Sequence, residues 1–158
     1  MIWIILATIM GAWSAPDQLA SKITHAFSAR DGAPSCAQVS SWGETGAVDQ
    51  ALITIADTIS MPPWVPMRAA ECVSRNALRD PNSMAAVRRW MVAEETAGFA
   101  LVVLNALDYL EAKSALELGN LALTRAKTDP RFGALAKRTL EASKHKQVVE
   151  LAVSFNTP

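Results

Sequence analysis

The stretch that decides the fold is residues 96–110, TAGFALVVLNALDYL. Within it, residues 97–104 carry no polar side chain. A helix on a protein surface has one apolar stripe, whereas a helix that is apolar on every side is buried. The stretch is 15 residues long, and a membrane span needs about 20. We therefore predict a central core helix, with Leu101 and Leu104 among the most buried residues.

Further helices are expected on both sides of this stretch, because apolar residues recur there at helical spacing. They are expected at 16–30, 46–60, 66–77, 81–93, 115–126, 130–143 and 148–153, with a short helical turn at 36–42. The boundary before the central helix stays open. Either Glu94–Thr96 begins a new helix, or one bent helix runs from 81 to 110.

Three sequence signals mark helix starts. At 80–81 and at 129–130, an aspartate that can cap a helix precedes a proline, which suits the first helical position. Ser114 and Glu117 match the capping box S-x-x-E ahead of an apolar run. We therefore expect helices to begin at 81, 115 and 130.

Three of the expected helices align with one another. They are 65–73 (VPMRAAECV), 99–107 (FALVVLNAL) and 132–140 (FGALAKRTL), and their starts are almost evenly spaced along the chain. Each follows another helix, and short connections make sequential helices antiparallel neighbours. A helix pair with a period near 33 is typical of an α-solenoid. We predict an all-α fold of antiparallel helix pairs stacked as a short α-solenoid over 46–144, with an irregular helical bundle as the alternative.

The segment 67–73, MRAAECV, resembles the second (B) helix of HEAT-like repeats, which carries a small-residue-rich V-R-x-A-A-x-x-L pattern. Here the Ala-Ala pair stands one residue early, 129–140 matches more loosely, and the central helix lacks the basic residue. The segment 80–89 also resembles the start of a B helix, so the register of the pairs stays open.

The resemblance implies that the B helices line the concave side of the stack and present a binding surface there. Polar residues on these helices are the candidate partner-binding residues: Arg68, Glu71, Arg75, Asn105, Lys137, Arg138 and Glu141. Their mixed charges suit a protein or peptide partner better than a polyanion.

The N-terminal segment 1–14 is predicted to be a signal peptide. Residues 2–10 form an apolar run, and small residues then stand at Ala12 and Ser14, where cleavage requires them. The segment has no Lys or Arg, so a buried helix and an uncleaved anchor remain alternatives. We expect an exported protein, periplasmic or secreted, whose remaining residues 15–158 form a single all-α domain.

Two cysteines, Cys36 and Cys72, are the only ones in the chain. An even number in an exported protein predicts a disulfide. Two unpaired cysteines in the core are the alternative, since free cysteine is often buried.

The net charge and the absence of known catalytic motifs argue against several classes of function. The 15 basic and 15 acidic side chains cancel, whereas nucleic-acid binding is typically accompanied by a basic excess. No G-x-S-x-G, P-loop, G-x-G-x-x-G or HExxH is present, and His25 and His145 are far apart. We expect no metal, no cofactor, no membrane span in the mature chain and no enzymatic activity.

These observations favour a protein-binding or scaffolding module whose partner is another protein or a peptide. The first alternative is a closed helical bundle that binds a small apolar ligand in an enclosed cavity. The second is an enzyme with an unrecognised site, because a fold does not exclude an activity.

Overall fold

The computed structural model describes residues 15–76 and 80–155, which form nine α-helices and no β-strand. The expected signal peptide, 1–14, lies outside the described residues. The helices are α1 (Ala15–Ser28), α2 (Cys36–Ser40), α3 (Thr45–Thr58), α4 (Trp64–Asn76), α5 (Pro81–Val92), α6 (Ala97–Ala106), α7 (Ala112–Ala126), α8 (Pro130–Glu141) and α9 (Lys146–Ser154). The all-α fold class is confirmed, and each expected helix is present with ends shifted by a few residues.

The two Asp-Pro signals both begin helices. The Asp80 carboxylate accepts a hydrogen bond from the backbone N–H of Asn82 at 2.8 Å. The Asp129 carboxylate accepts one from the backbone N–H of Phe132 at 3.1 Å. In each helix the proline occupies one of the first two positions, where its missing N–H has no partner to lose.

The capping box expected at Ser114 and Glu117 is wrong. Because the backbone is extended at Leu110 and Glu111, α7 begins directly after them, and Ser114 lies inside the helix. A capping box occurs instead at the start of α2. There the Ser35 hydroxyl accepts from the backbone N–H of Gln38 at 3.2 Å, and the Gln38 amide oxygen accepts from the backbone N–H of Ser35 at 2.8 Å.

The central helix is separate from α5, so the alternative of one bent helix is wrong. The backbone is extended at Ala93, and a 3-10 turn, Glu94–Thr96, leads into α6. The Thr96 hydroxyl does not cap α6. It bonds back to the carbonyl oxygens of Trp90 and Ala93, both at 2.8 Å, and so closes the end of α5.

Consecutive helices pack as pairs: α3 with α4, α5 with α6, and α7 with α8. First helices of neighbouring pairs contact each other, and so do second helices. At the ends of the molecule, α1 packs on α3 and α4, and α9 packs on α7 and α8.

The first helices of the first two pairs, α3 and α5, are parallel and in register. Near the start of α3, the Asp49 carboxylate accepts a hydrogen bond from the Ser83 hydroxyl near the start of α5, at 2.9 Å. Near the end of α3, the Asp57 carboxylate accepts one from the Trp90 indole near the end of α5, also at 2.9 Å. Two contacts in the same order along both helices fix their direction.

The central helix α6 contributes to the core, but it is not buried on every side. Leu104 is buried, as expected, whereas Leu101 and Val102 are half-buried and Asn105 is exposed. The prediction for Leu101 is therefore wrong, because α6 packs between α4, α5, α7 and α8 and keeps one side open. No helix in the described part of the chain is long and apolar enough to cross a membrane.

The disulfide between Cys36 and Cys72 is present, with the two Cα atoms 5.1 Å apart. It joins α2 to α4 and bridges 36 positions of sequence. The prediction is confirmed, and the bond attaches the N-terminal segment to the second helix of the first pair.

Candidate functional site

Two of the seven predicted binding residues hold the fold together. The Arg68 guanidinium donates to three carbonyl oxygens around the C-terminal end of α1, at 2.7 to 3.2 Å. The Lys137 ammonium donates to the carbonyl oxygen of Phe155, just after α9, at 3.1 Å. Cations stabilise helix C-termini in this way. Their first role is therefore to attach the terminal helices.

Three other predicted residues come together on α4 and α6. Glu71 and Arg75 form an ion pair along α4 at 2.5 Å, and the Arg75 guanidinium lies 4.4 Å from the centre of the Tyr109 ring. A groove of about 210 Å³ runs between the helices and is lined by Glu71, Arg75, Val102 and Asn105. Tyr109, which is 57% exposed, was not among the predicted residues. It stands 34 positions after Arg75, close to the predicted period near 33, and a search at that spacing could have found it.

The second helices α4 and α6 are parallel. A Cβ atom added to Gly98, at the start of α6, would lie 3.4 Å from the Met67 sulfur near the start of α4. The stacking of Arg75 on Tyr109 joins the other ends of the same two helices. The starts of the two helices are therefore adjacent, as are their ends.

The surface continues onto α8, which packs against α6. Arg138 and Glu141 are exposed on α8, as is Leu135 at 47%. The Ser143 hydroxyl, just after α8, donates to the Asp108 carboxylate, just after α6, at 2.8 Å. We call the outward side of α4, α6 and α8 the second-helix face; it carries Glu71, Arg75, Leu101, Val102, Asn105, Tyr109, Leu135, Arg138 and Glu141.

A second groove, of about 380 Å³, extends the second-helix face toward the disulfide. It lies between the loop 29–35 and α4, and it shares Glu71 and Arg75 with the first groove. Arg30 on this loop lies 5.1 Å from the centre of the Trp64 ring. Glu71 and Arg75 therefore line both grooves.

Two larger depressions lie elsewhere and open to solvent. One, of about 890 Å³, runs between α1 and α3. The hydroxyls of Thr54 and Thr58 in it bond to their own helix. The other, of about 680 Å³, lies where α5, α7 and α8 meet, beside Arg125. Neither is the enclosed apolar cavity that the small-ligand alternative requires.

The first helices carry an ion pair that shifts a pKa. The Arg88 guanidinium lowers the pKa of the Glu117 carboxyl, chiefly by donating hydrogen bonds to it at 2.5 and 3.0 Å. This pair joins α5 to α7, away from the second-helix face. Within 15–76 and 80–155, no group of three or more His, Cys, Asp and Glu side chains could hold a metal ion.

Comparison of the chain with protein-family models, with curated proteins and with solved structures gives no match.

Proposed function

We propose that this protein is an exported, non-enzymatic helical-repeat protein of the HEAT-like α-solenoid type. In this proposal it binds another protein or a peptide through the second-helix face. The repeats comprise the pairs α3–α4, α5–α6 and α7–α8, with α1, α2 and α9 covering their ends.

The burial pattern of the second helices supports the repeat. Residues at equivalent positions of α4, α6 and the segment 132–140 of α8 have similar burial. Buried equivalents are Ala69, Val103 and Ala136, and likewise Val73, Leu107 and Leu140. A position turned outward is shared by Glu71, Asn105 and Arg138. A repeating structural unit accounts for this agreement, because each helix then meets the same surroundings.

The hydrogen bonds between neighbouring pairs support the same period. The bonds from Ser83 to Asp49, from Trp90 to Asp57 and from Ser143 to Asp108 join residues 34, 33 and 35 positions apart. Bonds at one repeat length are expected where each unit stacks on the next one in the same orientation.

The observation that carries the binding proposal is the open side of α6. An apolar helix in a monomer is expected to be covered, yet Leu101 and Val102 are half-buried and Tyr109 is exposed. Apolar side chains rimmed by charged ones are typical of protein interaction surfaces. Here the rim is the Glu71–Arg75 pair on one side and Arg138 on the other.

Export is supported by the Cys36–Cys72 disulfide, because such bonds persist in oxidising compartments. The proposed signal peptide is residues 1–14, with residues 15–158 as the mature domain.

Site-specific photo-crosslinking tests the binding surface. A photoreactive amino acid replaces Asn105 on α6, and in a matched variant it replaces Asn120 on α7. Both asparagines are exposed on helices, but only Asn105 lies on the second-helix face. We expect illumination in the native compartment to give a discrete crosslinked protein from position 105 and none from position 120.

Equal crosslinking at both positions, or none at position 105, would contradict the proposed surface. Circular dichroism and a non-reducing gel check that both variants retain the helices and the disulfide.

A further inference from the structure

The charges on the second-helix face have opposite order at its two edges. On α4 an acid precedes a base, Glu71 and then Arg75; on α8 a base precedes an acid, Arg138 and then Glu141. Asn105, on α6, lies between the two edges. These are the five predicted binding residues that remain once Arg68 and Lys137 are assigned to the ends of α1 and α9.

We propose that the partner of the second-helix face is the same face of a second copy of this chain, in a two-fold symmetric dimer. This inference rests on the proposed function. A two-fold axis parallel to α6 places α4 of each copy on α8 of the other, because an isologous interface uses the same patch on both subunits.

This arrangement pairs opposite charges at both edges. Because α4 and α8 are equivalent helices, residues at equal repeat positions face each other. Glu71 and Arg138 occupy the same position of the repeat. Each Glu71 therefore meets Arg138 of the second copy, so one pair of opposite charges forms at each edge of the interface. The side chains of Glu71 and Arg75 are 41% and 37% exposed, so both are accessible to a second copy.

The centre of the interface is apolar. On the axis, α6 packs on its symmetry mate, so Leu101 and Val102 lose their contact with water. Asn105 faces Asn105 of the second copy, and two side-chain amides can exchange reciprocal hydrogen bonds. Tyr109 and Leu135, which are 57% and 47% exposed, add apolar area beside it.

The size of the face indicates a weak dimer. The three helices have 13, 10 and 12 residues, so they are about 15 to 20 Å long, and they pack about 8 to 10 Å apart. The face therefore covers on the order of 500 Å² per copy, and the total of about 1,000 Å² is below the standard 1,200 to 2,000 Å². We expect a dissociation constant in the micromolar range or higher. Binding should be tighter at low salt, because added ions screen the attraction between the paired charges.

Charge reversal tests the symmetry directly. The variants are Glu71→Arg and Arg138→Glu, studied by analytical ultracentrifugation over a range of micromolar concentrations at low salt. Each variant alone places like charges opposite each other, so its dimer should weaken about ten-fold or more. In a mixture of the two, every facing pair is again opposite in charge, so a heterodimer should form with affinity near that of the wild type.

The matched control is Glu150→Arg. Glu150 is also the acid of an exposed i,i+4 ion pair, with Lys146 on α9, but it lies outside the second-helix face. The dissociation constant of its dimer should equal that of the wild-type dimer. Should either variant fail to fold by circular dichroism, Glu71→Lys and Arg138→Asp repeat the test at the same pair.

The outcomes separate this inference from the proposed function. Dimers broken by each single reversal and restored by mixing support the inference. A dimer that is indifferent to all these reversals, or a protein that stays monomeric at every concentration, overturns it. If the monomeric protein is still crosslinked at position 105 to a different protein, the proposed function stands without the inference. If it gives no crosslink there, both are wrong.

Discussion

At the residue scale, Arg125 shows how a buried cation can join two helix pairs. Its guanidinium donates to the carbonyl oxygens of Met91 and Ala93 at 3.2 and 2.8 Å, and it lies 4.7 Å from the centre of the Phe132 ring. Only 6% of Arg125 is exposed. Arg125 is on α7, so its side chain caps the C-terminal end of the neighbouring helix α5.

Replacing this arginine should destabilise the protein. In Arg125→Met the carbonyl oxygens at the end of α5 lose a charged donor in a buried site, which costs about 2 to 3 kcal/mol of the free energy of unfolding. Arg131, which is exposed and lines the depression of about 680 Å³ beside Arg125, is the control. The variant Arg131→Met should change the free energy of unfolding by less than about 0.5 kcal/mol. Urea denaturation of both variants measures the difference, and equal stabilities would show that Arg125 does not anchor α5.

The contact of Arg68 with the end of α1 could not be predicted from the sequence. The spacing of Arg68, Glu71 and Arg75 places all three on the open part of α4, and the sequence alone predicts one role for them. Arg68 nevertheless reaches carbonyl oxygens far back in the chain, at the end of α1. No local pattern records that contact, because it depends on how α1 is placed against α4.

At the element scale, helix starts are predictable where the signal is a conformational constraint. Aspartate followed by proline marks the starts of α5 and α8 correctly, because proline restricts the backbone and lacks an N–H. The S-x-x-E pattern at 114–117 fails, because these residues suit a helix interior as well as a helix start. In the structure the backbone is extended at Glu111, α7 begins at Ala112, and the Glu117 carboxylate accepts hydrogen bonds from Arg88 instead of capping the helix.

This contrast gives a matched pair of variants. Asp129→Ala removes the side-chain acceptor for the backbone N–H of Phe132 and should cost about 1 kcal/mol. Ser114→Ala should be neutral or slightly stabilising, by less than about 0.5 kcal/mol, because alanine is the better helix former inside α7. Thermal unfolding compares the two directly. A larger loss from Ser114→Ala would mean that Ser114 is the cap after all.

At the scale of the whole molecule, the number and order of the helices follow from the sequence, because apolar periodicity and start signals are local. The side of α6 that stays open does not. Residues 97–104 are apolar all round, so periodicity could not distinguish the buried Leu104 from the half-buried Leu101. That distinction arises only when α4, α5, α7 and α8 pack around α6, and it is the distinction on which the second-helix face depends.

The disulfide offers a test of how stability is shared along the molecule. If each helix pair is stabilised mainly by its neighbours, the effect of a local change should decay along the stack. Removing the Cys36–Cys72 bond releases a loop constraint worth about 4 kcal/mol. In the double variant Cys36→Ser, Cys72→Ser, amide hydrogens of α1 and α2 should therefore exchange on the order of 100- to 1,000-fold faster. Those of α7, α8 and α9 should keep their wild-type rates, and reduced wild-type protein should match the variant. Mass spectrometry measures the exchange helix by helix. A uniform rise of exchange in all nine helices would instead indicate one closed cooperative bundle and contradict the proposed solenoid.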